Sequence, residues 1–139
     1  MDKSERLIKD FIALGEKMGH VFIATADQKG VPHIASSGKI GLTPEGRVEI
    51  SEWFCPVTLS NLQQKPILSL VAWDFQSDRG YQLIGEAEKI EETSMMDGYI
   101  PASENTPSIP QVERKILLKV KSLLPFTMAP HADMEYEAG

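Results

Sequence analysis

Three times between His20 and Tyr81 a short run of β-branched and aromatic residues gives way to a compact turn, and this recurrence constrains the fold most. His20 to Ala26 closes on Asp27-Gln28-Lys29-Gly30, and a second run from about Val31 to Leu42 closes on Thr43-Pro44-Glu45-Gly46. Both four-residue segments have hairpin chemistry, so the flanking runs are expected to pair antiparallel. A third strand follows, in which Val48, Ile50 and Phe54 alternate with Arg47, Glu49, Ser51 and Trp53. Ile67 to Trp73 is apolar on both parities except at Ser69, the pattern of a strand covered on both faces. Asp74 to Gly80 is polar and turn-rich, and Tyr81 to Ile90 returns as a strand in which Gly85 marks a bulge or a close backbone approach. A sixth strand runs from Val112 to about Lys121, with one solvent face.

Two helices complete the pattern. From Ser4 to about Lys17, Leu7, Ile8, Phe11, Ile12 and Leu14 fall at helical spacing, with Ser4 as the expected N-cap and Gly15 and Gly19 near the end. Pro56 stops the third strand, and Thr58 to Gln64 has the length and content of a short helix, with Thr58 near its N-cap and Pro66 beyond its end. Residues from about Thr93 to Pro110 contain three prolines and Gly98 and are expected to form a long loop. Six short strands, a leading helix and an inserted one point to a mainly β protein, a six-stranded antiparallel barrel with helical additions, formed as a single domain over residues 1–139.

Composition narrows the function. A net charge of -6 sets the overall field against nucleic acid and anionic membranes, so an anionic ligand must be met by a local site. No run approaches the ~20 apolar residues that cross a bilayer, and the N-terminus lacks the basic leader and apolar core of an export signal. A cytoplasmic location is therefore expected. Cys55 is the sole cysteine, which excludes an internal disulfide and a multi-cysteine zinc site. His20, His33 and His131 show no metal-ligand spacing. His131, with Pro130 before it and Asp133 after it, has the makings of a proton donor at a pocket mouth, or else belongs to a loose tail. No Walker sequence, Gly-x-Gly-x-x-Gly or nucleophile-elbow motif occurs.

An ordered set of features carries a family resemblance. Val-Phe-Ile-Ala-Thr-Ala is followed by Gly30-Val31-Pro32-His33, then Gly46-Arg47-Val48-Glu49-Ile50, then Thr58-Leu59-Ser60-Asn61-Leu62, and last Gly80-Tyr81-Gln82-Leu83-Ile84-Gly85-Glu86-Ala87. In this order, over about half the chain, the sequence resembles the pyridoxamine 5'-phosphate oxidase-like FMN-binding split-barrel family. The resemblance implies a Greek-key split barrel, a homodimer with two FMN sites at the subunit interface, and flavin redox chemistry with NAD(P)H or a small molecule as the reacting partner. It places cofactor contacts at Ser36, Ser37, Gly38 and Lys39, at Ser51 and Trp53, at Val57, Thr58 and Asn61, and at Gln82. Catalytic residues do not follow from it.

The residues bear on these implications. A flavin phosphate calls for helix-terminal N–H groups, hydroxyls and a cation; Thr58, Asn61, Ser36, Ser37 and Lys39 are of those kinds, although an N-cap and plain strand hydroxyls describe them as well. The flat ring calls for apolar walls and a few donors, for which Trp53 and Gln82 are the candidates; Trp73 and Tyr81 flank the same hairpin as Gln82 and are open to ring contact or packing, and Trp73 better suits packing. Many family members carry Lys or Arg just before the short helix, where this chain has Pro56-Val57-Thr58, so Lys39 or Arg47 must substitute. Loss of such a contact costs about 1.5–3 kcal/mol, which keeps a non-catalytic flavin or haem carrier as the alternative. The true oxidase has a C-terminal arginine segment; no arginine follows Val120, so that activity is not expected. An oligonucleotide-binding barrel is disfavoured by the acidic balance.

Overall fold

The computed structural model describes residues 2–53, 56–99 and 109–130, and within them the side chains of 52–53, 94–99 and 109–112 are left aside. The chain forms α1 (Lys3–Met18), β1 (Val21–Ala26), β2 (Pro32–Ser37), β3 (Lys39–Leu42), β4 (Val48–Trp53), α2 (Pro56–Gln64), β5 (Ile67–Asp74), β6 (Arg79–Tyr99) and β7 (Ile109–Pro125). All seven strands join one antiparallel sheet in the order β2-β1-β5-β6-β7-β4-β3.

The count is seven because the run from Val31 to Leu42 breaks at Gly38. Its first half pairs with β1 at one edge of the sheet and its second half pairs with β4 at the other, so a single residue joins the two edges. That junction curls the sheet into a split barrel. Ser37, buried at the seam, fastens it: its hydroxyl donates to the carbonyl of Ser51 on β4 and lies 3.4 Å from that of Lys39.

The core fills the curl. Val21, Ile23, Val48, Ile50, Leu70, Leu83, Ile116 and Leu118 point inward from five strands with no exposed surface, each worth about 1.5–3 kcal/mol relative to exposure. Phe11, Ile12 and Leu14 of α1 close one side. That helix starts earlier than Ser4 suggested. Asp2 is the N-cap, accepting from the Glu5 amide at 2.8 Å, and Gly19 at φ 78° ends the helix in the left-handed conformation that glycine adopts without strain. Asp2 and Glu5 have capping-box spacing, and the helix gains two residues over a start capped by Ser4.

Of the long loop expected from Thr93 to Pro110, the described residues are instead strand. β6 continues to Tyr99 and β7 begins at Ile109, forming a ribbon that outruns β4; residues 100–108 lie outside the described set. Gly85 marks a register shift with Ile84, as its position in the strand suggested. No described helix is long and apolar enough to cross a membrane.

Candidate functional site

The outer surface of the curl carries a groove. Because side chains alternate, the residues opposite the core on β2, β1, β5 and β6 form rows across the sheet. One row reads Ser36, Phe22, Val71, Gln82 in register. At about 4.8 Å per strand it spans roughly 14 Å along the sheet. Phe22, Ala24, Ile34, Val71 and Phe126 line a groove of about 320 Å³ over its middle. These side chains are apolar yet uncovered, with Phe22 at 43% and Ile34 at 68% of full exposure.

Polar groups stand at both ends. At one, Gln82 Nε2 donates to Ser69 Oγ at 2.7 Å, which leaves the Gln82 carbonyl oxygen and the Ser69 hydroxyl proton available to a ligand. At the other, exposed Ser36 and Lys39 stand on either side of the Gly38 corner, and Lys39 is paired in register with Ser51. Lys39 Nζ lies 3.1 Å from Glu113 Oε2. Glu113 also accepts from the Thr93 hydroxyl at 2.9 Å, and these two donors, Lys39 first, lower the pKa of its carboxyl.

The rim at the hairpin end is fixed by Asp78, which sits in the left-handed region at φ 51°. Its carboxylate accepts from Trp73 Nε1 and from the Met128 amide, each at 3.0 Å. Trp73 in turn packs edge-on against Phe126, with 5.7 Å between ring centroids. A Cβ on Gly80 would meet the Phe126 carbonyl oxygen at 2.5 Å, so only glycine lets the end of β7 come this close. Trp73 is thus a packing residue of the rim, and Tyr81 points into the core.

α2 covers β1 and β2 on the core side. It begins at Pro56, which places Thr58 inside the first turn rather than at the cap. Thr58 is fully buried, and its hydroxyl oxygen has no hydrogen-bond partner among the described residues. Asn61, one turn on, is committed: its Nδ2 donates to Thr25 Oγ1 at 3.0 Å, pinning α2 to β1. Val57 is half exposed beside it.

Of the residues expected to contact a cofactor, Ser36, Ser37, Gly38, Lys39 and Ser51 meet at the seam. Val57, Thr58 and Asn61 lie on α2, and Gln82 stands at the far end of the row; the side chain of Trp53 lies outside the described set, as do Cys55 and His131. Arg47 is held by Glu88 at 2.7 Å, near the β3–β4 turn. Its Cα is four residues from Ser51 along β4, about 13 Å, so Lys39 is the cation at the seam. The groove floor was not singled out from sequence. Its signal was present: the outward residues of β1 and β5 are as apolar as the inward ones.

The curled sheet, seam and capping helix define a split-barrel fold. No protein-family model matches the chain, and no curated protein matches it. Among solved structures it is similar to a pyridoxamine 5'-phosphate oxidase-related, FMN-binding protein from Nostoc punctiforme, at 9% identity over 95% of this chain and 88% of that one with a TM-score of 0.67. It is also similar to an F420 reductase, at 12% identity over 81% and 94% with a TM-score of 0.57. The haem storage protein HutZ from Vibrio cholerae matches at 13% identity over 88% and 94%, with a TM-score of 0.52. The chain therefore has the pyridoxamine 5'-phosphate oxidase-related split-barrel fold, one that serves flavin and haem proteins alike.

Proposed function

We propose that the chain binds FMN in the outer groove and works as a homodimer, with bound flavin conferring oxidoreductase activity in the cytoplasm. The observation that carries this reading is the row from Ser36 to Gln82: a hydroxyl and a cation at one end, an apolar floor, and an amide at the other. An FMN molecule has the same sequence of properties, a phosphate, a ribityl chain and a flat ring edged with carbonyls and nitrogens. Ser36 and Lys39 would hold the phosphate from the groove side. Ser37, Gly38 and Ser51 shape that end, and Asn61 fixes the helix. Phe22, Val71 and Phe126 would bear on the ring, and Gln82 would reach its polar edge. When bound, flavin supplies hydride or electron transfer, and the protein's part is to orient it and keep water away.

Dimerisation is supported by the uncovered apolar surface. Ile67 to Trp73 reads as covered on both faces, yet within one chain only Leu68, Leu70 and Ala72 are buried, while Ile67 and Val71 face out. A second copy would cover that face.

The test is direct. Purified protein should show flavin absorbance or take up added FMN, sediment as a dimer, and bleach when mixed anaerobically with NADH or NADPH. A colourless protein that refuses FMN overturns the cofactor; flavin that is bound but never reduced leaves a carrier.

Haem storage is the second reading, favoured by His20. Its ring packs edge-on against Phe22, 5.1 Å between centroids, at the groove's margin. Its Nδ1 lies 3.2 Å from the Met18 carbonyl oxygen, an arrangement that fixes the tautomer leaving Nε2 as a ligand. A Soret band on haem addition, lost in His20→Ala, would favour it over flavin.

A further inference from the structure

We infer that Glu113 is a specificity-determining residue: by holding Lys39 in an ion pair, it removes most of the preference the groove would have for a phosphorylated flavin over an unphosphorylated one. The inference rests on the flavin reading above.

Lys39 and Glu113 are 74 positions apart in sequence and are brought together by β4, which pairs with β3 on one side and β7 on the other. The two partners are unequal. The Lys39 side chain keeps 66% of its surface in solvent, whereas Glu113 keeps 15% and is held by Thr93 as well. The carboxylate is thus the fixed member, and the ammonium is drawn to it. A flavin phosphate arriving beside Ser36 meets a pair whose charges cancel, not a free cation. The neighbouring cation across β4, Lys115, is in register with Ser51 and with Glu91 and reaches towards Glu49 at 3.9 Å. Arg47 is held by Glu88. Every described cation near this end of the groove therefore has a carboxylate beside it. What remains for a phosphate is hydroxyls, which a ribityl hydroxyl satisfies nearly as well.

The experiment compares FMN with riboflavin by quenching of flavin fluorescence, in the full chain and in Glu113→Gln, Lys39→Met and the double variant. For the wild type the two dissociation constants should agree within about threefold, with little salt dependence because the local charge is near zero. Glu113→Gln keeps the shape and the Thr93 contact while freeing Lys39. It should tighten FMN by about three- to tenfold, the scale of one unit charge a few ångströms from the phosphate when water screens it, as it does the exposed Lys39, and leave riboflavin unchanged. Lys39→Met should weaken FMN several-fold, and the double variant should return to the wild-type ratio, as a cycle through one shared interaction requires.

Weaker FMN binding in Glu113→Gln, or an equal change for both flavins, would overturn the inference and make Glu113 a prop for the seam. A wild type that prefers FMN by orders of magnitude overturns it too, without relying on any variant. Binding of neither flavin overturns the flavin reading itself, and so separates the two failures.

Discussion

The outer surface of the sheet is two surfaces, and β6 runs through both. Over β2, β1, β5 and the first part of β6, outward positions are Ile34, Phe22, Ala24, Val71 and Ile84, with Gln82 and Ser69 bonded to each other. Past the register shifts at Ile84/Gly85 and Ala87/Lys89, β6 and β7 meet β4, and the outward face becomes a ladder of opposite charges. Arg47 faces Glu88, Lys89 faces Glu91, Lys121 faces Glu86 and Lys39 faces Glu113. Both surfaces stand on one shared core, so burial alone does not explain the difference. One face satisfies itself in water through charge pairs, most of them across strands and one, Lys89–Glu91, along β6. The other has no polar partners for its area and is suited to being covered.

The sharpest way to break that contrast is to put a charge on the dry side. Val71→Glu replaces an outward residue in the middle of the groove floor, where the fold makes no use of it. It should leave the melting curve close to that of the wild type while reducing FMN affinity by more than about 100-fold, because a charge covered without a partner costs about 3–5 kcal/mol. Sedimentation should show monomer. Full binding and an intact dimer in this variant would mean the apolar face covers nothing.

How far this division was legible in the sequence depends on what kind of information each part needed. The alternation of Val48, Glu49, Ile50 and Ser51 announces a strand with a wet face without help from any other segment. The two-sided apolar pattern of Ile67 to Trp73 likewise announces a strand with two covered faces, although the chain itself buries only one of them. Which residues meet across strands was not legible, since the row from Ser36 to Gln82 exists only through the order β2-β1-β5-β6. The Lys39–Glu113 pair needs the same long-range knowledge. Gly38 was hidden inside a continuous β-like run, since nothing local distinguishes a barrel corner from a plain strand residue. The stretch from Thr93 to Pro110 misleads in the opposite direction: its Ser, Gly and Pro content reads as loop, but pairing with β7 overrides local preference. Pro110 is accommodated at the register shift between Met96 and Tyr99, a bulge position where no ladder bond is lost.

A smaller effect sharpens the contrast at the junction of sheet and helix. Thr58 is a buried hydroxyl with no partner among the described residues, so Thr58→Val keeps the shape and removes the unsatisfied atom. The ligand-free protein should become more stable by about 1–2 kcal/mol, read as a higher denaturant midpoint, while FMN affinity stays the same, because Thr58 lies on the core side of the sheet and the groove on the other. Several-fold weaker FMN binding in this variant would mean that the phosphate is reached from the helix side and not from the groove.

The smallest effect belongs to the wet face, and its sign can be worked out. Hydrogen bonds from Arg47, Lys89 and Lys39 lower the carboxyl pKa values of Glu88, Glu91 and Glu113 respectively. A carboxylate whose pKa is lower in the folded state stabilises the fold above its unfolded value of about 4.3, and the contribution fades as pH falls through the lowered value. Arg47 and Lys89 are raised by the same contacts, and their share is lost only at strongly alkaline pH. The melting temperature should therefore be flat from about pH 5 to pH 9 and decline below about pH 4. The acid decline should be modest, because exposed pairs contribute little. Sodium sulfate should then act in opposite senses on the two surfaces. It screens the ladder and flattens the acid decline, while its exclusion from apolar surface strengthens association through the groove face. Sulfate that weakened the dimer would place charge pairs, not apolar contact, at the interface.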